Sequence, residues 1–222
     1  RGNAYMRSAG LEPRHFICAI PRLRYTVSGS HQAQDVVRDR VNAEHVLHDM
    51  DLLMDVMVRY VRATGNKVLV CSEMTYQLEL GKKYLVDRFP SDLKSKVVWR
   101  NTYWMPDEAA AVYAKASAVL SMECHSPIIS LVQETPTFYI RQSTDTCKGQ
   151  MYPDLGLADW LFEIDKTDSG AIWQRLQGIL ANPSAARDKA AKTMALVHSK
   201  QAVMGRALRN ALAAMDAGRP QL

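Results

Sequence analysis

Six short, nearly uninterrupted runs of apolar residues alternate with longer segments of helical spacing, and this alternation restricts the fold more than any other feature of the sequence. The runs are His15–Ile20, Lys67–Cys71, Val97–Trp99, Ala118–Met122, Thr137–Ile140 and Leu161–Ile164. Strands that are covered by helices on both faces have such continuous apolar sequences, because neither face meets water. We therefore predict an α/β fold, with a Rossmann-like parallel sheet flanked by helices.

The segments between these runs supply the crossover helices that a parallel sheet needs. Ala43–Ala63, Tyr76–Phe89 and Asp107–Lys115 carry apolar residues at helical spacing. The polar segment Val27–Asn42 is expected to be either a solvated connection or an active-site loop.

A long helix is predicted over residues 184–217, after the helix-start sequence Asn182-Pro183-Ser184. Its apolar stripe consists of Met194, Val197, Met204, Leu208, Ala211 and Met215. Gln201 interrupts this stripe, which favours packing against the core over a coiled-coil dimer. We therefore expect residues 1–222 to form a single α/β domain on which this helix packs.

Composition and cysteine usage limit the class of protein. A hydrophobic fraction of 47% and a charged fraction of 23% are those of a folded globular chain. No apolar run reaches the roughly 18 residues of a membrane span, and no signal-peptide pattern opens the chain. The four cysteines form no CxxC pair, so we expect reduced thiols and a cytoplasmic location. The first residue is Arg1 rather than Met, as in a fragment of a longer protein.

The charge balance and the absence of metal motifs narrow the choice of ligand. The net charge of +5 is modest, and the lysines and arginines form no dense block. Such a balance suits an anionic small molecule or polymer and does not indicate a nucleic-acid partner. The six histidines are scattered, and no HExxH, GxGxxG or Walker motif occurs. We therefore expect neither a metal nor a cofactor.

The residues that follow each predicted strand are the candidate site residues, because open parallel sheets bind ligands beyond the carboxyl ends of their strands. Arg22 and Arg24 follow the first strand on alternate sides, so only one of them is expected to face a ligand. The other candidates are Arg100 after the third strand, Glu123, His125 and Ser126 after the fourth, and Arg141 and Lys148 after the fifth.

The sequence around His125 marks the start of a helix directly after the fourth strand. Ser126 is expected to be the N-cap, and Pro127 suits the first helical position. His125 then lies at the positive end of the helix dipole, where free backbone N–H groups favour a phosphate or carboxylate. This setting predicts an anion site with His125 as a general acid. The other interpretation is a simple helix cap with a locally hydrogen-bonded histidine.

The order of these motifs resembles a known family. The sequence has a strand ending in Arg22, the strand KVLVC, the turn Met105–Glu108 and the strand Ala118–Met122, followed by His125, ETPTFYI and DLGL. From about residue 15 to 215 this order resembles the C-terminal half of the polysaccharide pyruvyl transferases. Members of that family look like two-lobed GT-B enzymes and transfer pyruvate from phosphoenolpyruvate to a sugar of a cell-surface polysaccharide. The resemblance implies a transferase whose partners are this donor and a saccharide acceptor. A lipid-linked acceptor would bring it to the membrane surface.

The resemblance also implies roles for the candidate residues. Arg22 matches the family's strand-end arginine, and His125 would contact the donor phosphate or carboxylate and protonate the enol methylene carbon. The remaining expected donor contacts are Ser126, Arg100, Arg141 and Lys148. Glu123 stands where the family has an arginine, and a carboxylate there opposes a trianionic donor. Glu123 is therefore expected either to be compensated by neighbouring cations or to serve another donor, holding a sugar hydroxyl or acting as a base.

Two other functions fit the same architecture. A GT-B glycosyltransferase would use a nucleotide sugar, and Glu134 is then the candidate for the ribose hydroxyls. A non-catalytic carbohydrate-binding lobe is the other, and the carboxylate of Glu123 favours it. The acceptor-binding lobe of the family is not in this sequence.

Overall fold

The computed structural model describes residues 1–26 and 35–217, and these contain a six-stranded parallel sheet. The strands are β1 (Phe16–Ile20), β2 (Lys67–Val70), β3 (Val97–Trp99), β4 (Ala118–Ser121), β5 (Thr137–Arg141) and β6 (Leu161–Glu163). Their spatial order is β3-β2-β1-β4-β5-β6, and every neighbouring pair is parallel. The predicted α/β class and Rossmann-like sheet are confirmed.

Helices connect the strands. They are α1 (Gly2–Ser8), α2 (Val36–Thr64), α3 (Tyr76–Gly81), α4 (Pro106–Tyr113), α5 (His125–Val132), α6 (Met151–Asp154), α7 (Ser169–Ala181) and α8 (Pro183–Ala217). The predicted helix Tyr76–Phe89 begins as α3 and continues through a π-helical turn, Lys82–Val86.

Helix α2 is longer than the sequence predicts. The carboxylate of Asp35 accepts hydrogen bonds from the backbone N–H groups of Val37 and Arg38, both at 3.1 Å, and so caps the helix. Residues 36–42 of the expected polar connection are therefore helical, while residues 27–34 lie outside the described residues. Gly65, at a φ of 69°, ends the helix in the left-handed conformation that glycine adopts without strain.

Alternate residues of the strands build one core on each face of the sheet. On one face, strand residues such as Ile17 and Leu120 pack against α2, α7 and the start of α8. On the other face, Cys18 and Val119 pack against α1, α4 and Trp104. Because both faces are covered, β1 is buried at all five positions, and its sequence is continuously apolar.

Helix α8 packs on the domain along its first part, as far as Val197. Ala186, Ala190 and Met194 are buried. Farther along, Met204 and Leu208 are each more than half exposed, and the helix continues unbroken through Gly205. The expected packing of the whole stripe is therefore not found, because no described element lies against the far part of the helix. None of the helices in the described ranges is both long and apolar enough to cross a membrane.

Candidate functional site

The reversal of strand order between β1 and β4 places a cleft at the carboxyl edge of the sheet. From β1 the chain runs to β2 and β3 on one side, whereas β4, β5 and β6 lie on the other. Loops that leave neighbouring strands in opposite directions open a crevice between them, and ligands of such sheets bind there. A cleft of about 190 Å³ occupies this place, and among the residues that line it are Arg22, Glu123, His125, Tyr139, Asp145 and Lys148.

Arg22 projects from the end of β1 between two carboxylates. Its Nη1 donates to Oδ1 of Asp145, and its Nε lies 3.4 Å from Oε1 of Glu123. Burial alone would lower the pKa of Arg22, but the charges of Glu123 and Asp145 raise it above its ordinary value. Asp145 is held in place by Tyr139, whose hydroxyl donates to it at 2.9 Å. Arg22 is therefore a fixed, permanently charged cation at the switch point.

Glu123 follows β4 and is almost fully buried, with 5% of its surface exposed. The Nε2 of Gln77 donates to its Oε1 at 2.6 Å. Burial raises the pKa of Glu123 to about 7, and Glu73 and Asp145 add to the rise, while Arg22 and Gln77 oppose it. Arg22 is the stronger of the two opposing groups, but burial outweighs it. At neutral pH, Glu123 is thus divided between its acid and its carboxylate.

Glu73, from the loop after β2, occupies the amino end of α5. Its Oε2 accepts hydrogen bonds from the backbone N–H and the hydroxyl of Ser126, each at 2.8 Å, and its Oε1 accepts one from Nδ1 of His125. Ser126 is the second residue of α5 rather than its cap, so the predicted serine cap is wrong. The cap is a carboxylate from another loop, and it fills the place that the sequence assigns to a ligand anion.

His125 is the first residue of α5, and its side chain is 61% exposed. Because the carboxylate of Glu73 accepts from Nδ1, the proton of a neutral imidazole sits there and Nε2 remains a proton acceptor. Nε2 has no hydrogen-bond partner among the described residues. A carboxylate that orients a histidine in this way prepares it to act as a base.

Arg24 points away from the cleft, as the alternation of the strand end predicts. It is buried and binds both oxygens of Asp49, each at 2.9 Å, and also Asp165 and Ser143. These contacts join the segment after β1 to α2 and to the turn after β6. Arg24 therefore fixes the base of the site rather than its surface.

Arg100 and Arg141 do not line the cleft. Arg100 is buried on the α1/α4 face, where it pairs with Glu108 at 3.2 Å and stacks over Tyr5 and Trp104. Arg141 pairs with Glu163, its register partner on β6, at 2.9 Å. Of the seven residues predicted for the site, the structure brings Arg22, Glu123, His125 and Lys148 to the cleft, whereas Ser126 is buried and binds Glu73.

Three consecutive residues bring possible metal ligands together, because one ligand atom each of Glu123, Cys124 and His125 lie within 4.8 Å of one another. Metal ligands must be deprotonated and free to coordinate. Glu73 already engages the histidine, Glu123 contacts Arg22 and Gln77, and burial raises the pKa of the Cys124 thiol. The present contacts therefore suit proton transfer better than metal binding.

The strand order and the cleft at its switch point define a Rossmann-like α/β fold. A UDP-forming trehalose-phosphate synthase from Burkholderia xenovorans shares the fold, with a TM-score of 0.52 and 12% identity over 88% of this chain and 43% of its own. A glycosyltransferase of kitacinnamycin gives a TM-score of 0.48 and 13% identity, over 82% and 38%. This chain thus spans less than half the length of either protein. No protein-family model and no curated protein sequence matches it.

Proposed function

We propose that the chain is the donor-binding lobe of a GT-B-type glycosyltransferase that uses a nucleoside-diphosphate sugar. The observation that carries the proposal is the pairing, at the switch point, of two cations with a buried carboxyl whose pKa is about 7. Arg22 is fixed there, and Lys148 has no ion-pair partner in the described parts of the chain. Both can hold a diphosphate, because ammonium and guanidinium groups bind phosphate oxygens through charged hydrogen bonds.

The charges around the cleft oppose a donor with three negative charges more than one with two. Against Arg22 and Lys148 stand the carboxylates of Asp145 and Glu73 and the half-ionised Glu123. The fold shared with the UDP-forming synthase points to the same class of donor. Phosphoenolpyruvate, with three negative charges, would meet more repulsion here.

The residues of the cleft match the proton and charge movements of glycosyl transfer. The acceptor oxygen bonds to the anomeric carbon of the donor while the bond from that carbon to the diphosphate oxygen breaks. His125, oriented by Glu73, accepts the hydroxyl proton at Nε2, and the cations stabilise the charge that builds up on the diphosphate. Glu123 in its acid form donates a hydrogen bond to the donor, and in its carboxylate form it accepts one from a sugar hydroxyl.

Pyruvyl transfer from phosphoenolpyruvate is the second candidate, because the cleft is small. A volume of about 190 Å³ is below the roughly 300–1,000 Å³ that is usual for pockets of drug-sized ligands. In that reaction His125 would protonate the enol methylene carbon.

Thermal-shift titration of the chain with UDP-glucose, phosphoenolpyruvate and maltotriose tests these functions. We expect UDP-glucose to stabilise the fold, by about 2.7 kcal/mol at one hundred times its Kd. Lys148→Gln should remove most of this stabilisation, whereas Lys200→Gln, which removes the same charge from α8, should leave it unchanged.

Any other result would overturn the proposal. Stabilisation by phosphoenolpyruvate alone would establish pyruvyl transfer. Stabilisation by maltotriose alone would establish a carbohydrate-binding lobe. No response to any of the three would show that the cleft is not a donor site.

A further inference from the structure

A second cavity, of about 560 Å³, lies at the amino ends of the strands, at the opposite edge of the sheet from the cleft. Arg14 and His15 precede β1, Asn66 precedes β2 and Ser117 precedes β4. The other wall comes from the end of α7 and the first turns of α8, through Ile179, Leu180, Pro183, Ser184 and Arg187. The cavity therefore combines polar strand starts with an apolar helical wall.

Two arginines face this cavity without any acidic partner. Nη1 of Arg14 donates to the carbonyl of Ala116 at 2.6 Å, and Nη2 of Arg187 donates to the carbonyl of Gln133 at 3.3 Å. Within residues 1–26 and 35–217, no carboxylate lies within ion-pair distance of either, and none of the residues that line the cavity is acidic. This contrasts with Arg22 and Arg24, each of which touches two carboxylates.

The two guanidinium groups also leave hydrogen-bonding capacity unused. Nη1 of Arg187 is buried and has no hydrogen-bond partner among residues 1–26 and 35–217. Burial lowers the pKa of Arg14, and the positive charge of Arg187 lowers it further. The two positive charges disfavour each other, and an anion between the two arginines would offset this repulsion.

We infer that this cavity binds a small phosphate monoester that carries an apolar group. A guanidinium fits phosphate oxygens through two parallel hydrogen bonds, and the two charges of a monoester match two arginines. The apolar part of the ligand packs on Ile179, Leu180 and Pro183. This site lies at the other edge of the sheet from the proposed donor cleft, so either can fail without the other.

Isothermal titration calorimetry with octyl phosphate tests this site. We expect octyl phosphate to bind more tightly than inorganic phosphate, which lacks the apolar part, and octyl glucoside, which lacks the charge, not to bind. Arg187→Gln and Arg14→Gln should each weaken binding of octyl phosphate roughly tenfold, as expected for the loss of one charged hydrogen-bonding partner. Arg206→Gln, which removes an exposed charge from α8, should leave the affinity unchanged.

Several results would overturn the inference. These are no binding of octyl phosphate, equal affinity in Arg187→Gln and the unmodified chain, or loss of binding in Lys148→Gln, which would place the ligand in the other cleft. If the chain sediments with phosphatidic-acid vesicles but does not bind octyl phosphate, the two arginines contact a membrane surface instead of a small ligand.

Hydrogen exchange gives a second readout on the unmodified chain, so that the test does not depend on the folding of the variants. Octyl phosphate should protect the first turns of α8, near residues 183–190, more than the rest of the helix. Equal exchange there with and without octyl phosphate would contradict the proposed place of binding.

Discussion

The protonation of Glu123 makes a measurable prediction about stability. Glu123 lies beside Arg22 but is desolvated, and its pKa rises from an ordinary value of 4.5 to about 7. Glu123→Gln keeps the shape of the side chain and an oxygen that accepts from Gln77, but it cannot titrate. The difference in the free energy of unfolding between the natural chain and this variant therefore isolates the ionisation of one group.

The direction and size of the effect follow from the two pKa values. The unfolded chain releases this proton near pH 4.5, whereas the folded chain keeps it until about pH 7. The folded state thus binds more protons in this interval, and stability falls as the pH rises through it. At about 1.4 kcal/mol per pKa unit, the full effect is about 3 kcal/mol.

Urea unfolding at half-unit steps from pH 4.5 to 8 measures this difference. We expect the natural chain to lose about 3 kcal/mol relative to Glu123→Gln over this range. The matched control is Glu79→Gln, an exposed glutamate, which should show no such trend. A difference that stays constant with pH would refute the reasoning, because it would mean that Arg22 keeps Glu123 ionised throughout.

Three further substitutions test other parts of the structure. Glu73→Ala should lower the free energy of unfolding in urea by about 1 kcal/mol, because it removes the cap of α5. An unchanged urea midpoint, as expected for the control Glu79→Ala, would contradict that role. Arg24→Met should lower the free energy of unfolding by about 3–5 kcal/mol in the same assay, because it leaves Asp49 buried without the guanidinium. Full stability in Arg24→Lys would contradict the role of the two parallel hydrogen bonds from Arg24 to Asp49. Gly205→Ala should raise the local stability of α8 by about 1 kcal/mol, because alanine favours a helix more than glycine does. The new methyl group has room, since its nearest neighbour is Arg209 at 3.7 Å. Hydrogen exchange across residues 200–210 should therefore slow, and faster exchange would contradict the reasoning.

The sheet could be predicted from the sequence because strands buried on both faces leave a continuous apolar signal. Each observed strand lies within one residue of a predicted run. The sequence also predicts that only one of Arg22 and Arg24 faces the cleft, because the two follow β1 on alternate sides of the strand.

The partners within the site could not be predicted, because they depend on contacts between distant parts of the chain. Glu73 follows a predicted strand, but nothing in its neighbourhood shows that it reaches Ser126, 53 positions away. Arg141 was expected at the cleft, yet the register of β5 against β6 pairs it with Glu163. Arg100 follows β3, the outermost strand on one side of the sheet, and is too far from the switch point to line the cleft. Its guanidinium instead stacks over Tyr5 and Trp104.

The carboxylate of Glu73 at the start of α5 has a consequence for how this lobe can change during evolution. Where a helix terminus holds a phosphate directly, the contacts are backbone amides, which no point mutation other than one to proline removes. Here the carboxylate of Glu73 accepts from the one backbone N–H that Ser126 offers, so side chains such as Arg22, Glu123 and Lys148 are left to recognise a ligand. A single nucleotide change at one of these codons can then alter the charge of the cleft while the fold stays intact. The ligand preference of this cleft is therefore open to rapid divergence.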